Sequence, residues 1–261
     1  MLSEQERQEV ARLLAVAERK RTPIRPLVEH FPQMDVVDAY EVQLMNIRAR
    51  LAGGATVLGH KVGLSSDAMQ RMMGVDEPDY GHLLSDMRLR SDAPVETERY
   101  CYPRVEVEVG FILGEALPGE GCTEADVLAA TEFVVPAIEL IDSRIVDWRI
   151  GIVDTIADNA SSAGFVLGEE RVHPADLDLR AIDARLRRNG EQVAEGRSDA
   201  ILGNPVTAVA WLARKVATFG VRLEAGHVIL PGSVHRAVDV EPGDEFVAEF
   251  DGLGSVALDF G

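Results

Sequence analysis

The stretch Arg104-Val105-Glu106-Val107-Glu108-Val109-Gly110-Phe111 limits the fold more than any other part of the chain. Val105, Val107, Val109 and Phe111 alternate with Arg104, Glu106, Glu108 and Gly110. A period of two predicts a strand with one face in the core. Glu106 and Glu108 then project from the opposite face, with Cα atoms about 6.5 to 7 Å apart. Carboxylates that close repel each other unless water or a cation screens them. A solvated strand face fits the pattern, and so does a cation site.

Glu139 bears on that choice. It interrupts Val134-Val135-Pro136-Ala137-Ile138-Glu139-Leu140-Ile141, an apolar run that reads as a buried strand. A lone ionised carboxylate there is costly unless paired or metal-bound. Three such carboxylates suit a hard divalent ion such as Mg²⁺ or Mn²⁺. A buried pair of Glu139 with Arg144 or Arg104 would satisfy it as well. Lys61 is a second charge in an apolar setting, Thr56 to Leu64. Alternation puts His60 and Lys61 on opposite faces, so at least one points inward. A buried lysine commonly titrates low and exchanges protons or anchors a carboxylate; the alternative is a lysine that snorkels outward.

Around these residues the chain reads as a helical arm, residues 1–55, followed by a β-rich domain, residues 56–261. Ser3 and Glu6 form a capping box, and Val10, Leu13, Leu14 and Ala17 share a helical face. Thr22, Pro23 and Pro26 break that helix. A second begins near Asp35, turns Val37, Tyr40, Leu44, Ile47 and Leu51 inward, and ends at Gly53-Gly54. Further helices are predicted at 123–133 and, after Asn204-Pro205, through Val216 to Gly220. Strands are expected at 56–64, 104–113, 134–141, 246–250 and 255–260. Asp79 sits in an acidic, proline-containing turn, and 154–162 is a polar segment that could line a pocket or simply cap a turn.

With 46% hydrophobic residues the chain can bury a sizeable core. No apolar run reaches the roughly 18 to 20 residues that span a bilayer. The charged start, MLSEQERQEV, is unlike a signal peptide, so a cytoplasmic protein is expected. A net charge of −18 argues against nucleic acid and anionic membranes as partners. It also means that an anionic substrate needs a local cation. Two cysteines build neither a disulfide framework nor a thiolate zinc site.

Gly59-His60-Lys61-Val62-Gly63-Leu64 and Gly74-Val75-Asp76-Glu77-Pro78-Asp79-Tyr80-Gly81 resemble the N-terminal signature of 2-keto-4-pentenoate hydratases. Pro103 to Glu108, Pro136-Ala137-Ile138-Glu139, Asp154 to Ser162 and Ile229-Leu230-Pro231-Gly232-Ser233 extend the resemblance in order toward the C-terminus. It implies the α+β fold of the fumarylacetoacetate hydrolase superfamily, a mixed β-sheet roll preceded by helices. It also implies Mg²⁺ or Mn²⁺ on Glu106, Glu108 and Glu139, with Lys61 and Asp79 catalytic and Ser161 and Ser233 contacting substrate. Pro231 and Val234-His235 depart from the family's usual residues, at a stretch that shapes the far end of the pocket.

The expected activity is that of a hydro-lyase in a meta-cleavage pathway of aromatic or steroid catabolism, acting on a small-molecule 2-hydroxy or 2-oxo acid. Water would add to 2-hydroxypenta-2,4-dienoate or 2-hydroxyhexa-2,4-dienoate, giving a 4-hydroxy-2-oxo acid. The resemblance also suggests a homo-oligomer. Alternatives on the same scaffold are 4-oxalocrotonate decarboxylase, a longer-dicarboxylate hydratase, and an acylpyruvate hydrolase. The last commonly needs an acid–histidine pair, for which His82 is the one candidate.

Overall fold

The computed structural model describes all 261 residues. Helix α1 (Glu4–Lys20) starts at the Ser3–Glu6 capping box, and α2 (Val36–Ala52) at a second box formed by Asp35 and Asp38. Val37, expected inward, is 53% exposed. The inward place in that turn belongs to Asp38, whose carboxylate accepts from the Leu2 amide and from Arg7. Leu2, Val10, Leu14, Ala39, Tyr40 and Val42 join the same apolar core as the sheets that follow.

After α2 come β1 (Val57–Gly63), α3 (Asp67–Met73), β2 (Asp79–Leu84), β3 (Arg104–Leu113), α4 (Glu124–Ala130) and β4 (Thr131–Ile141). Next are α5 (Ile152–Ala157), β5 (Ser162–Leu167), β6 (Asp183–Arg188), β7 (Glu191–Arg197) and α6 (Pro205–Ala217). The chain closes with β8 (Val228–Leu230), β9 (Val238–Asp239), β10 (Glu245–Phe250) and β11 (Gly254–Asp259).

One curled sheet runs β2-β1-β8-β3-β4-β5, with β9 continuing alongside β3. Its β1–β8 pair is parallel and its other pairs antiparallel, so the sheet is mixed. A second, antiparallel sheet has the order β11-β10-β6-β7 and lies against β4 and β5. The α+β roll expected from the sequence is the fold observed.

Two local expectations change, and one hairpin is added. The helix predicted to reach residue 133 stops at Ala130, because Thr131 to Val135 is rich in β-branched and apolar side chains and pairs with β3. Asp79 opens β2 as a buried residue and does not organise a turn. A hairpin, β6–β7, turns on Asn189-Gly190, both at positive φ. Asn-Gly between short strands is a strong hairpin signal, and it accounts for a hairpin absent from the strands expected above.

Candidate active site and metal centre

The β3–β4 register places Glu106 directly opposite Glu139, with Glu108 one pleat further along the same face. One oxygen from each of the three carboxylates lies within 4.8 Å of the others. Glu108 and Glu139 are fully buried and Glu106 is half-buried. The solvated-face reading of this strand therefore gives way to an enclosed acidic cluster.

Lys61 reaches the cluster from β1. Its Nζ lies 3.3 Å from Glu139 Oε2 and donates a 3.2 Å hydrogen bond to the Ala160 carbonyl. Glu139 thus pairs with Lys61, and neither arginine considered from the sequence is its partner. Arg144 binds Asp158 (Nε to Oδ1, 2.5 Å), and Arg104 binds Asp239 (Nε to Oδ1, 2.6 Å). Lys61 and His60 are both buried, on opposite faces of β1.

The cluster is short of positive charge. Burial works against the Lys61 ammonium, but Glu139, Glu106, Asp79 and Glu108 outweigh that effect and raise its pKa. The low-titrating lysine expected from burial alone is therefore not what this arrangement produces. Burial raises Glu106 to about 7, opposed by Lys61 and reinforced by Glu139. Glu108 lies well above the ordinary carboxylate range, through burial first and then Glu139 and Glu106. These are the signs of carboxylates assembled for a cation that one lysine only partly replaces.

The remaining hydrogen bonds leave particular oxygens free. Glu108 Oε2 accepts the Gly232 amide at 2.7 Å, while Oε1 is buried without a partner. Glu139 Oε1 accepts from Ser162 Oγ at 2.7 Å, while Oε2 lacks a hydrogen bond of good geometry despite its closeness to Lys61. Buried lone pairs of this kind need a partner. All-oxygen donors with two such atoms fit a hard divalent ion such as Mg²⁺.

Asp79 flanks Lys61 from β2. Thr155 Oγ1 donates to its Oδ2 at 3.2 Å, and its Oδ1 is buried and unpartnered. Position 63 must be glycine for this, since a β-carbon there would run into Asp79 Oδ1. Burial raises the Asp79 pKa, and Lys61 opposes the rise.

Ser161 ends a turn in which Asn159, Ala160 and Ser161 all have positive φ, 56°, 50° and 58°. Each costs roughly 1 kcal/mol or more for a residue with a β-carbon. Asp158 pins the turn by accepting from Arg144, and Asn159 clips both backbone groups of His82. The turn aims the Ala160 carbonyl at Lys61 and leaves Ser161 Oγ buried and unpartnered. Ser233 is placed differently, because its hydroxyl accepts the Val107 amide and donates to the Val107 carbonyl. It fastens the loop after β8 onto β3.

Lys61, Asp79, Glu106, Glu108, Glu139 and Ser161 therefore come together, and Ser233 borders them. Thr155, Ser162 and the Gly232 amide escaped the sequence reading. The first two lay in the polar 154–162 segment, where nothing in the order of residues says which hydroxyl meets which carboxylate. His82 has no acidic partner: its Nδ1 lies 3.1 Å from Gln43 Oε1.

The family model for the fumarylacetoacetate (FAA) hydrolase C-terminal region matches residues 70–260. A 2-keto-4-pentenoate hydratase of Paraburkholderia xenovorans (strain LB400) is 44% identical over 99% of this chain and 96% of its own length. A 2-oxo-hept-4-ene-1,7-dioate hydratase of Escherichia coli is 42% identical over 96% of both chains. The structure of 4-oxalocrotonate decarboxylase from Pseudomonas putida G7, complexed with magnesium and adipate, superposes with a TM-score of 0.95. It is 35% identical and covers 100% of this chain and 99% of that one. No helix of the present chain is long and apolar enough to cross a membrane.

Proposed function

The chain belongs to the fumarylacetoacetate hydrolase family, and from that premise we propose that it is a divalent-metal-dependent hydratase of 2-hydroxypenta-2,4-dienoate or its six-carbon homologue. The observation that carries the reading is the enclosed Glu106–Glu108–Glu139 cluster, with Lys61 and Asp79 beside it. A meta-cleavage pathway, Mg²⁺ as the ion, a cytoplasmic location and a homo-oligomeric assembly complete the proposal. Hydratase relatives align along nearly the whole chain and support it.

Conversion of the dienol to 4-hydroxy-2-oxopentanoate requires a proton at C5, then hydroxide at C4 and a proton at C3. Negative charge develops on the C2 oxygen in both stages. When bound to Glu106, Glu108 and Glu139, a divalent ion supplies Lewis-acid stabilisation of that charge and neutralises the substrate carboxylate. This answers the difficulty of drawing an anion to a protein of charge −18.

The chain's own residues do the rest. Lys61, held protonated by its carboxylate neighbours, orients the anionic end of the substrate and stabilises the C2 oxygen. Asp79 is the proton carrier: burial favours its neutral form, and Oδ1, free of the Thr155 contact, is the oxygen placed to hold the proton. In tautomerisation it gives that proton to C5 while the 2-hydroxyl proton leaves to solvent. As the carboxylate it then takes a proton from the water that adds at C4, and C3 takes a proton from solvent, so that one water is added in all. Ser161 Oγ, with no partner of its own, donates to the substrate.

The test is an ultraviolet assay on freshly generated 2-hydroxypenta-2,4-dienoate, with Mg²⁺ or with EDTA. The expected result is metal-dependent loss of the dienol absorbance with 4-hydroxy-2-oxopentanoate as product. Loss insensitive to EDTA, or release of CO₂ from 2-oxo-3-hexenedioate without hydration of the dienol, would overturn it.

A further inference from the structure

Position 232, just after β8, is a glycine whose missing β-carbon makes room for an oxygen, as position 63 is at the end of β1. A β-carbon at 232 would run into Ser65 Oγ, just as one at 63 would run into Asp79 Oδ1. Ser65 is buried in the short connection between β1 and α3. Its hydroxyl makes no hydrogen bond within the protein and takes no part in the chemistry described above. The Gly232 amide donates to Glu108 Oε2 at 2.7 Å, so the Ser65 hydroxyl borders the carboxylate cluster.

The backbone around Ser65 is held in place at a cost. Leu64, which precedes it, has φ 53°. Leu202, whose amide donates to the Ser65 carbonyl at 3.0 Å, has φ 47°. A bulky residue in that region is a conformational outlier, and such strain gathers at functional sites. From the other side, Gln70 Nε2 donates to the Leu64 carbonyl at 2.9 Å. Ser65 is thus fixed through its main chain while its side chain stays uncommitted. A hydroxyl held this way keeps one donor and its lone pairs for a ligand atom.

Spacing decides which atom. Strands β1 and β8 pair in parallel, Gly59 with Val228 and Lys61 with Leu230. Carried two residues further, that register sets Gly63 beside Gly232, at the roughly 4.8 Å spacing of neighbouring strands. Asp79 Oδ1 covers the first glycine and Ser65 Oγ the second. Two oxygens that share one water stand roughly 4.5 Å apart, from two bonds of about 2.8 Å at a near-tetrahedral angle. Building on the hydratase reading, we propose that Ser65 is a further catalytic residue, which together with Asp79 holds the water that adds at C4. The ionised Asp79 accepts one hydrogen of that water and Ser65 Oγ accepts the other, which leaves an oxygen lone pair for C4. As the C4–O bond forms, the C3–C4 electron pair moves toward the C2 oxygen and the first hydrogen passes to Asp79. The second hydrogen stays on the new hydroxyl, and C3 takes its proton from solvent.

The test gives the Mg²⁺-loaded enzyme 2-hydroxypenta-2,4-dienoate in D₂O and follows the two stages by nuclear magnetic resonance. Deuterium entering at C5 reports tautomerisation, and 4-hydroxy-2-oxopentanoate reports hydration. Ser65→Ala should tautomerise within about twofold of wild type but hydrate about ten- to hundredfold more slowly. The intermediate 2-oxopent-3-enoate should then accumulate. Ser65→Thr, which keeps the hydroxyl, should restore part of the hydration rate. Since Ser65 Oγ bonds nothing in the protein, the melting point and calorimetric Mg²⁺ affinity of Ser65→Ala should match wild type. A fall in either assigns the hydroxyl a structural role and overturns the proposal. Hydration by Ser65→Ala at the wild-type rate overturns it too, as does an equal slowing of both stages. If the wild type adds no water to the dienol, the hydratase reading itself falls and takes this assignment with it, a failure seen before any variant is compared.

Discussion

Replacing Lys61 with Met removes the buried cation that faces Glu139, Glu106, Asp79 and Glu108. At 3.3 Å from Glu139 Oε2, the ammonium contributes about 5 kcal/mol of Coulomb attraction at an effective dielectric near 20. Losing the desolvation of the lysine offsets part of this, so the metal-free variant should be destabilised by about 3 to 5 kcal/mol, the usual result of orphaning a buried charge. Mg²⁺ should recover most of that loss, since the carboxylates it would neutralise are the ones left unpaired. Its affinity should be no weaker than in wild type, because the variant removes a positive charge from beside the site. Turnover should fall about 10²- to 10⁴-fold even at saturating Mg²⁺. Thermal melts with and without Mg²⁺, calorimetric titration and the dienol assay measure the three effects. Wild-type turnover would refute the catalytic role, and a melting point that Mg²⁺ does not raise would refute the electrostatic reasoning.

Other expectations follow from the same contacts. Glu106→Gln leaves two carboxylate ligands in place of three and should weaken Mg²⁺ binding about tenfold or more; unchanged calorimetric affinity would remove Glu106 from the centre. Ser162→Ala deletes a 2.7 Å hydrogen bond to buried Glu139, worth about 1.5 to 3 kcal/mol for a charged acceptor. It should raise the Mg²⁺ dissociation constant roughly ten- to hundredfold, with Ser162→Thr recovering part of the loss. Burial lowers His82 to about 4 from an ordinary 6.5, so the unfolded chain takes up this proton first as pH falls. The stability advantage of wild type over His82→Gln should therefore shrink by about 2 kcal/mol between pH 7.5 and 5; a pH-independent difference in denaturant melts would count against it.

The parts of the fold legible in the sequence were those with an uninterrupted period. The alternation of Arg104 to Leu113 and the caps at Ser3 and Asp35 place β3, α1 and α2 to within a residue or two. The unexpected elements are short or arise from pairing. Strand β2 is a six-residue run whose every side chain is buried, so it shows no alternation. Strand β5 follows a strained turn that only the Asp158–Arg144 pair makes tenable.

The site divides in the same way. Glu106 and Glu108 announce themselves by sharing a strand face, and Glu139 by sitting in an apolar run. That they meet is a matter of register, in which Glu106 falls opposite Glu139, and register is set by pairing partners far apart in the chain. The arginines proposed for Glu139 were displaced for the same reason: Lys61 arrives through the β1–β8–β3 order, which no local pattern encodes. Ser233 adds a contact that no local pattern encodes, its hydroxyl accepting from and donating to the backbone of β3.

The metal centre is tested most directly by anomalous diffraction from crystals grown with Mn²⁺. A single strong peak is predicted among Glu106, Glu108 and Glu139, at roughly 2.0 to 2.3 Å from one oxygen of each, with Lys61 and Asp79 unliganded beside it. No peak at that position, or a peak held by other residues, would contradict the assignment of these three carboxylates and the hydration chemistry built on them.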